Sequence, residues 1–144
     1  MIEIVRAQNA EEIIKYLDLD DDRVEEYIVG TKLEWIQYMI SIVEKEWVAI
    51  FSTYIDGELE AYTVVMDTVD PPITDYITVT YASNIHDLVD GEGNHVMPVL
   101  IDEIKKWGMT KKAKKINIFT NFPHICGKYG FKEHKKFRRM EMDI

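Results

Sequence analysis

The sequence predicts an α/β fold in which a mixed central sheet has helices on both faces, in the order β-α-α-β-β-β-α-β-α-β. Two observations support this prediction. Asp56 and Gly57 separate two apolar runs and form a strong hairpin signal, so the strands beside them should be antiparallel. A long helical segment, residues 95–109, connects two short apolar strands, and a helical crossover of this kind joins parallel strands.

The helices are predicted from their start and stop signals. Asn9 lies three residues before Glu12, and Thr31 lies three residues before Glu34, which are capping-box patterns. Gly30 ends the helix that precedes the second pattern. In chain order, the expected helices are 9–17, 31–43, 95–109 and 122–128, with a further short helix at 23–29 that the order above does not count separately.

The strands are predicted from alternation of apolar and polar residues. In the fourth strand, for example, Ile77, Val79 and Tyr81 alternate with threonines. The two prolines at 71–72 close the strand before it. In chain order, the expected strands are 2–6, 47–54, 59–66, 76–81, 115–120 and 137–144.

Composition limits the class of protein. A chain of 144 residues, 47% of them apolar, fits one domain spanning 1–144 with a sizeable core. It has no run of about 18 apolar residues, so no membrane helix is expected. The first six residues are too short and too acidic a segment for a signal peptide. Together with the single cysteine, Cys126, this predicts a cytoplasmic protein.

The charge is unevenly distributed. Residues 1–104 have a net charge of −18, and residues 105–144 have a net charge of +9. The basic end could bind an anionic ligand locally, or its lysines could simply be solvated. The acidic remainder argues against nucleic-acid binding, because it would repel phosphate. The acidic run 18–22 is interpreted as an exposed cluster, and no metal site is expected.

The C-terminal part provides the most specific pattern. A long helix, a short apolar strand and a short helix lead to Gly130 and Phe131, and a final amphipathic strand is expected after them. This order resembles the GNAT-type N-acetyltransferases, and the resemblance covers nearly the whole chain. Asn121 lies only nine residues before Gly130, so the last helix is short. In this respect the chain resembles acetyltransferase-like proteins of bacteriophages.

The resemblance implies acetyl-CoA as co-substrate. In the family, the strand before the long helix, here 77–83, pairs with the pantetheine arm. The following turn and the helix N-terminus bind the pyrophosphate, since exposed N–H groups there attract anions. Lysines 111, 112, 114 and 115 could reach the 3′-phosphate or form a solvated helix end. The cofactor-binding residues implied are Val79, Tyr81, Ser83, Gly91, Gly93, Asn94, His95, Val96 and Lys128.

The turn departs from the family pattern. Where the family has Gln/Arg-x-x-Gly-x-Gly/Ala, this chain has Glu92, His95 and Met97 at the three defining positions. Gly91 and Gly93 could supply a related backbone nest in a shifted register, or they could belong to an ordinary loop. A glutamate near a pyrophosphate would be repulsive.

Catalytic candidates follow from the same resemblance. Cys126 occupies the position, four residues before Gly130, where the family has a tyrosine that protonates the CoA thiolate. A thiol can act as a general acid, although a small buried core residue is an alternative. His124 lies in the same turn and could also donate a proton. Glu60 and Tyr81 are candidates for accepting the amine proton, as are residues 67, 86 and 87, and the sequence does not choose among them.

Three functions are compatible with these features. The first is acetyl-CoA-dependent transfer of an acyl group to a primary amine, on a small molecule or a protein. The second is a non-catalytic binding or structural module with a GNAT-like fold, whose acidic body and basic end could mediate head-to-tail contacts or a homodimer. The third, nucleic-acid contact through the basic end, has the least support because the chain has no known motif for it.

Overall fold

The computed structural model describes residues 1–20, 24, 30–67, 75–83, 85, 87–118, 120, 123–133 and 140–144. Its strands are β1 (Ile2–Arg6), β2 (Val48–Ile55), β3 (Glu58–Met66), β4 (Tyr76–Ala82) and β5 (Lys115–Ile118). Its helices are α1 (Ala10–Ile14), α2 (Lys32–Ile42), α3 (Val96–Thr110) and α4 (Pro123–Gly127), and a 3-10 turn (Lys15–Asp18) follows α1.

The described strands form one sheet in the order β1-β2-β3-β4-β5. Strands β1 to β4 pair antiparallel, whereas β4 and β5 pair parallel. The hairpin between β2 and β3 turns at Asp56 and Gly57, whose φ angles of 50° and 86° suit a tight two-residue turn. Helix α3 supplies the crossover from β4 to β5. The mixed sheet predicted from the sequence is therefore confirmed.

Both predicted capping patterns start helices. The Asn9 side chain accepts a hydrogen bond of 3.3 Å from the Glu12 N–H at the start of α1. Thr31 and Glu34 form a reciprocal capping box at the start of α2, in which each side chain bonds the backbone of the other. These contacts satisfy N–H groups that a helix start leaves without partners, so local sequence determines where both helices begin.

Two hydrophobic cores lie on opposite faces of the sheet. On one side, which we call the α1/α2 face, Val48 and Ile50 of β2 pack with residues of α1 and α2. On the other side, the α3 face, Ala49 and Phe51 pack with α3. Successive strand residues point to opposite faces. Burial on both sides therefore explains why β2 begins as a continuous apolar run rather than an alternating one.

The C-terminal segment differs from the prediction. The strand expected at 137–144 is not a strand from Met140 onward, where Met140 and Met142 are 91% and 93% exposed. An alternating pattern forms a strand only where a sheet edge is available for pairing, and this segment lies in solvent. Residues 137–139 lie outside the described residues. So does the helix expected at 23–29, apart from the helical residue Val24.

The other predicted boundaries shift by a few residues. β5 is described over Lys115–Ile118, residue 119 lies outside the described residues, and residue 120 is not in a strand. The helix expected at 9–17 tightens into a 3-10 turn after Ile14. None of the helices within the described residues is long and apolar enough to cross a membrane.

Candidate functional site

Strand β4 contains a bulge near its C-terminal end. Tyr81 pairs with Val64 and Val79 pairs with Val65, so Thr80 is one extra residue on β4. The extra residue moves Tyr81 to the opposite side from Val79. Val79 belongs to the core on the α3 face, and Tyr81 belongs to the core on the α1/α2 face. The regular alternation assumed from the sequence therefore fails at Thr80.

Beyond the bulge, β4 extends past its last described pair with β5. Among the described residues, the last parallel pair joins Val79 to Ile118, whereas β4 continues to Ala82 and stays paired with β3 there. Thr80 and Ala82 are exposed. We call this last part of β4, residues 80–82, the β4 edge, and its described ladder pairs are with β3. An extended chain carrying amide groups can add to such an edge through main-chain hydrogen bonds.

Ser83 lies just past the β4 edge but faces the other way. Its N–H donates to the Tyr62 carbonyl oxygen at 3.2 Å. Its hydroxyl donates to the same oxygen at 3.2 Å and accepts from the Tyr62 N–H at 3.1 Å. All three bonds run to β3, so Ser83 ends the β3–β4 ladder. Its N–H and hydroxyl groups are directed towards β3.

The turn before α3 is organised by the carboxylate of Asp90. One oxygen, Oδ1, accepts hydrogen bonds of 2.9 Å from the N–H groups of both Glu92 and Asn94. The other, Oδ2, accepts a 3.0 Å bond from the Asn94 side-chain amide. The Gly93 N–H donates to the Asp90 carbonyl oxygen at 3.1 Å. In the turn predicted to bind an external anion, the Asp90 carboxylate therefore already accepts hydrogen bonds from the N–H groups.

A second carboxylate touches the same turn. Asp56, at the tip of the β2–β3 hairpin, accepts a 3.2 Å hydrogen bond from the Gly91 N–H. It also accepts a hydrogen bond from the Met1 amino group, which lies 3.4 Å from Asp90. Hydrogen bonds from Asn94, and secondarily from the Glu92 N–H, lower the pKa of Asp90 to about 2. The turn therefore has a negative charge at neutral pH.

Helix α4 positions the C-terminal candidates. Cys126 is 8% exposed, and its carbonyl oxygen accepts hydrogen bonds from the N–H groups of Tyr129 and Phe131. Both aromatic side chains pack against the core on the α3 face. His124 and Lys128 are exposed. This segment thus contains one buried thiol, one exposed imidazole and one exposed ammonium group.

Several solved structures with this arrangement of elements are acetyltransferases. The aminoglycoside 6′-N-acetyltransferase AAC(6′)-Ih from Acinetobacter baumannii superposes with a TM-score of 0.71 at 13% identity, covering 100% of this chain and 99% of that one. A protein from Clostridium acetobutylicum described as a predicted acetyltransferase, solved with acetyl-CoA, gives a TM-score of 0.71 at 12% identity and coverages of 98% and 96%. The fold is that of the GNAT acetyltransferases.

A third structure extends the likeness. AAC(6′)-Iy, solved with a bisubstrate analogue that joins CoA to acetylneamine, has a TM-score of 0.70 at 15% identity and coverages of 100% and 99%. At the level of sequence, no family model and no curated protein matches this chain. The GNAT likeness therefore rests on the arrangement of elements, and the roles of individual residues have to be argued from their own contacts.

The other predicted residues lie apart from the β4 edge or beside it. Glu60 is exposed and is itself the extra residue of a bulge in β3 opposite β2. Lys115 pairs with Tyr76 at the start of β4. The lysines that follow α3 therefore lie at the end of β4 opposite to the β4 edge, and about 20 Å of strand separates the two ends. Residue 86 lies outside the described residues.

Sequence reasoning missed a stack of aromatic rings on the α1/α2 face. Tyr16 and Tyr62 are parallel, with centroids 4.2 Å apart, and Tyr62 lies 5.1 Å from Tyr81. Trp35 continues the row at 5.5 Å from Tyr81 and 5.8 Å from Tyr38. The row runs from the buried Tyr16 to the 45% exposed Tyr38. Simple alternation hides it, because it places Tyr81 on the other face.

A hydrogen-bonded network around Glu12 was also missed. One Glu12 oxygen accepts from the Ser52 hydroxyl at 2.8 Å and from the Tyr54 hydroxyl at 2.6 Å, and the other pairs with Lys15 at 2.8 Å. Tyr16 lies 2.6 Å from Ser52. Partial burial raises the pKa of Glu12, but the bonds from Lys15, Tyr54 and Ser52 outweigh it and lower the pKa overall. The network attaches α1 to β2.

Proposed function

We propose that this protein is an N-acetyltransferase that moves an acyl group from acetyl-CoA to a primary amine. The single observation that supports this most is the β4 edge, where a bulge at Thr80 follows the last described pair of β4 with β5 and the described ladder pairs are with β3. In a GNAT fold, this is where the two amides of a pantetheine arm would add as a short strand. Exposed Thr80 and Ala82 leave room for that arm.

Four of the predicted side chains have the chemistry for the proton transfers that the reaction needs. A bound acyl thioester would supply the acyl carbon, to which the amine nitrogen bonds as the carbon–sulfur bond breaks. Backbone N–H groups at the β4 edge would polarise the carbonyl group. Tyr81 or Glu60 is proposed to accept the amine proton. Cys126 or His124 is proposed to return a proton to the sulfur.

The acceptor is proposed to be a cationic small molecule. The net charge of −18 over residues 1–104 would attract a protonated amine and raise its rate of encounter. The aromatic row ending at Tyr38 offers ring faces that a cation can contact. Two of the solved neighbours are aminoglycoside acetyltransferases, which is compatible with an acceptor of this class.

A second candidate function is a binding module that has lost catalysis. The observation that favours it is the turn before α3, where Asp90 occupies the N–H groups of Glu92 and Asn94 that would otherwise face a phosphate. In that case the β4 edge would contact a peptide or a second protein, and CoA would not bind.

Calorimetric titration with acetyl-CoA and then with CoA separates the two functions. Saturable one-site binding in the micromolar range supports the enzyme. Transfer to a panel of amines would then be measured with wild-type protein and with Cys126→Ala and Tyr81→Phe variants. No heat of binding at millimolar acetyl-CoA would exclude the enzyme and leave the binding module.

A further inference from the structure

We propose that this protein recognises its acyl donor through the pantetheine arm and gains no favourable contact from the nucleotide diphosphate. The inference rests on the proposed function and specifies its donor more closely. The substrate class is an acyl thioester of pantetheine, whether the arm belongs to CoA or is free. The reasons lie in the turn before α3 and in the position of the basic residues.

The backbone of the turn has little left to offer a phosphate. Five of its N–H groups donate to acceptors within the protein, at distances between 2.9 and 3.2 Å. The pairs are Gly91 with Asp56 Oδ2, Glu92 and Asn94 with Asp90 Oδ1, Gly93 with the Asp90 carbonyl, and Val96 with the Leu88 carbonyl at 3.0 Å. An anion-binding nest needs several such groups directed at one external point.

The start of α3 does not supply the N–H groups that the turn lacks for binding a phosphate. The N–H of Val96, the first helical residue, already bonds to Leu88, and Pro98, the third, has no N–H. His95 at the N-cap makes no side-chain capping bond. The side chains of Val96 and Met97 are buried. Two of the first three positions of the helix therefore cannot donate to a phosphate.

The charge at the turn is of the wrong sign for a diphosphate. The Asp90 side chain is 2% exposed and ionised at neutral pH, and it holds the turn in shape. Asp56 touches the turn and Glu92 is exposed on it, so three carboxylates lie there against one cation, the Met1 amino group. A diphosphate here would approach at least two carboxylates and would have to displace Asp90 from its own donors. Both requirements cost free energy.

The basic residues near the long helix lie at its other end. Lys111 and Lys112 follow the 15 residues of α3, which separates them from the turn by about 22 Å of helix. Lys115 begins β5 beside Tyr76, far along the strand from Ala82. By contrast, nothing in this reasoning affects the pantetheine arm, which the proposed function assigns to strand backbone at the β4 edge.

Equilibrium binding of three probes tests the proposal without knowledge of the acceptor. CoA, pantetheine and adenosine 3′,5′-bisphosphate are titrated calorimetrically into the protein. We expect dissociation constants for CoA and pantetheine within about tenfold of each other, and no binding of the bisphosphate. If CoA binds more than about a hundredfold more tightly than pantetheine, the inference is overturned and the proposed function stands. If neither thiol binds, both fail.

Salt dependence and a pair of variants test whether the negative charge at the turn before α3 weakens the binding of CoA. Raising NaCl from about 50 to about 500 mM should leave the CoA affinity unchanged or increase it, since salt screens repulsion. A fall of tenfold or more would reveal a cation–phosphate contact and overturn the inference. Asp90→Asn should increase CoA affinity relative to pantetheine, whereas Asp102→Asn, an equal change of charge at an exposed site on α3, should not. Pantetheine binding reports whether each variant is folded.

Discussion

Tyr81 contributes to stability through its ring and, on our proposal, to chemistry through its hydroxyl, and substitutions can separate the two. The ring is 8% exposed and lies between Tyr62 at 5.1 Å and Trp35 at 5.5 Å. Tyr81→Ala would leave a cavity and remove two ring contacts, which should cost about 4 kcal/mol of unfolding free energy. With a urea m-value of about 2 kcal/mol/M, the denaturation midpoint should fall by about 2 M.

Two further substitutions serve as controls. Tyr38→Ala removes the exposed end of the same row, so it should cost about 1 kcal/mol or less. Tyr81→Phe keeps both ring contacts and should cost no more than about 1 kcal/mol, while slowing acyl transfer about a hundredfold if the hydroxyl moves the proton. Equal loss of stability in Tyr81→Ala and Tyr38→Ala would refute the reasoning from burial, and full activity of Tyr81→Phe would remove the hydroxyl from the mechanism.

Three other outcomes follow from contacts described above. Because the folded pKa of Asp90, about 2, lies below its ordinary value of 3.8, its stabilisation is full above pH 3.8 and disappears as the pH falls through 2. Asp90→Asn should therefore unfold with a flatter acid limb when circular dichroism is followed against pH, and an unchanged limb would contradict this. Thr31→Ala breaks the capping box with Glu34 and should cost about 1 kcal/mol by urea denaturation; no loss would show that the cap is dispensable. A Cβ at Gly108 would lie 2.8 Å from Cδ1 of Ile77, so Gly108→Ala with Ile77→Val should be about 1 kcal/mol more stable than the two single changes predict, and strict additivity would count against the clash.

Elements governed by neighbouring residues could be predicted from the sequence. Two helix starts follow from Asn9 and from the pair Thr31 and Glu34. A cap needs only a side chain and a backbone N–H three residues apart in the chain. Asp56 and Gly57 turn the hairpin because they accept positive φ. The parallel pairing of β4 with β5 follows from the length of the helix between them.

Features that depend on tertiary partners could not be predicted in this way. Nothing in the alternating residues of β4 marks Thr80 as extra, because the bulge is defined by its register against β3. Similarly, Gly91 and Gly93 suggest an open nest, and only the folded chain shows Asp90 inside it and Asp56 beside it. The final strand was expected from its pattern alone, which says nothing about whether an edge is available.

The bulge at Thr80 also affects how residue roles can be transferred between proteins of this fold. Before Thr80, alternate residues of β4 enter opposite cores. After Thr80 the alternation continues shifted by one residue, so each later position enters the other core. A comparison that matches this strand to another without allowing for one inserted residue would therefore exchange inward and outward positions from Tyr81 onward. Point substitution cannot undo that exchange, whereas deletion of Thr80 would turn the tyrosine towards α3. In this strand, insertions and deletions, rather than changes of residue type, decide which side chains surround the β4 edge.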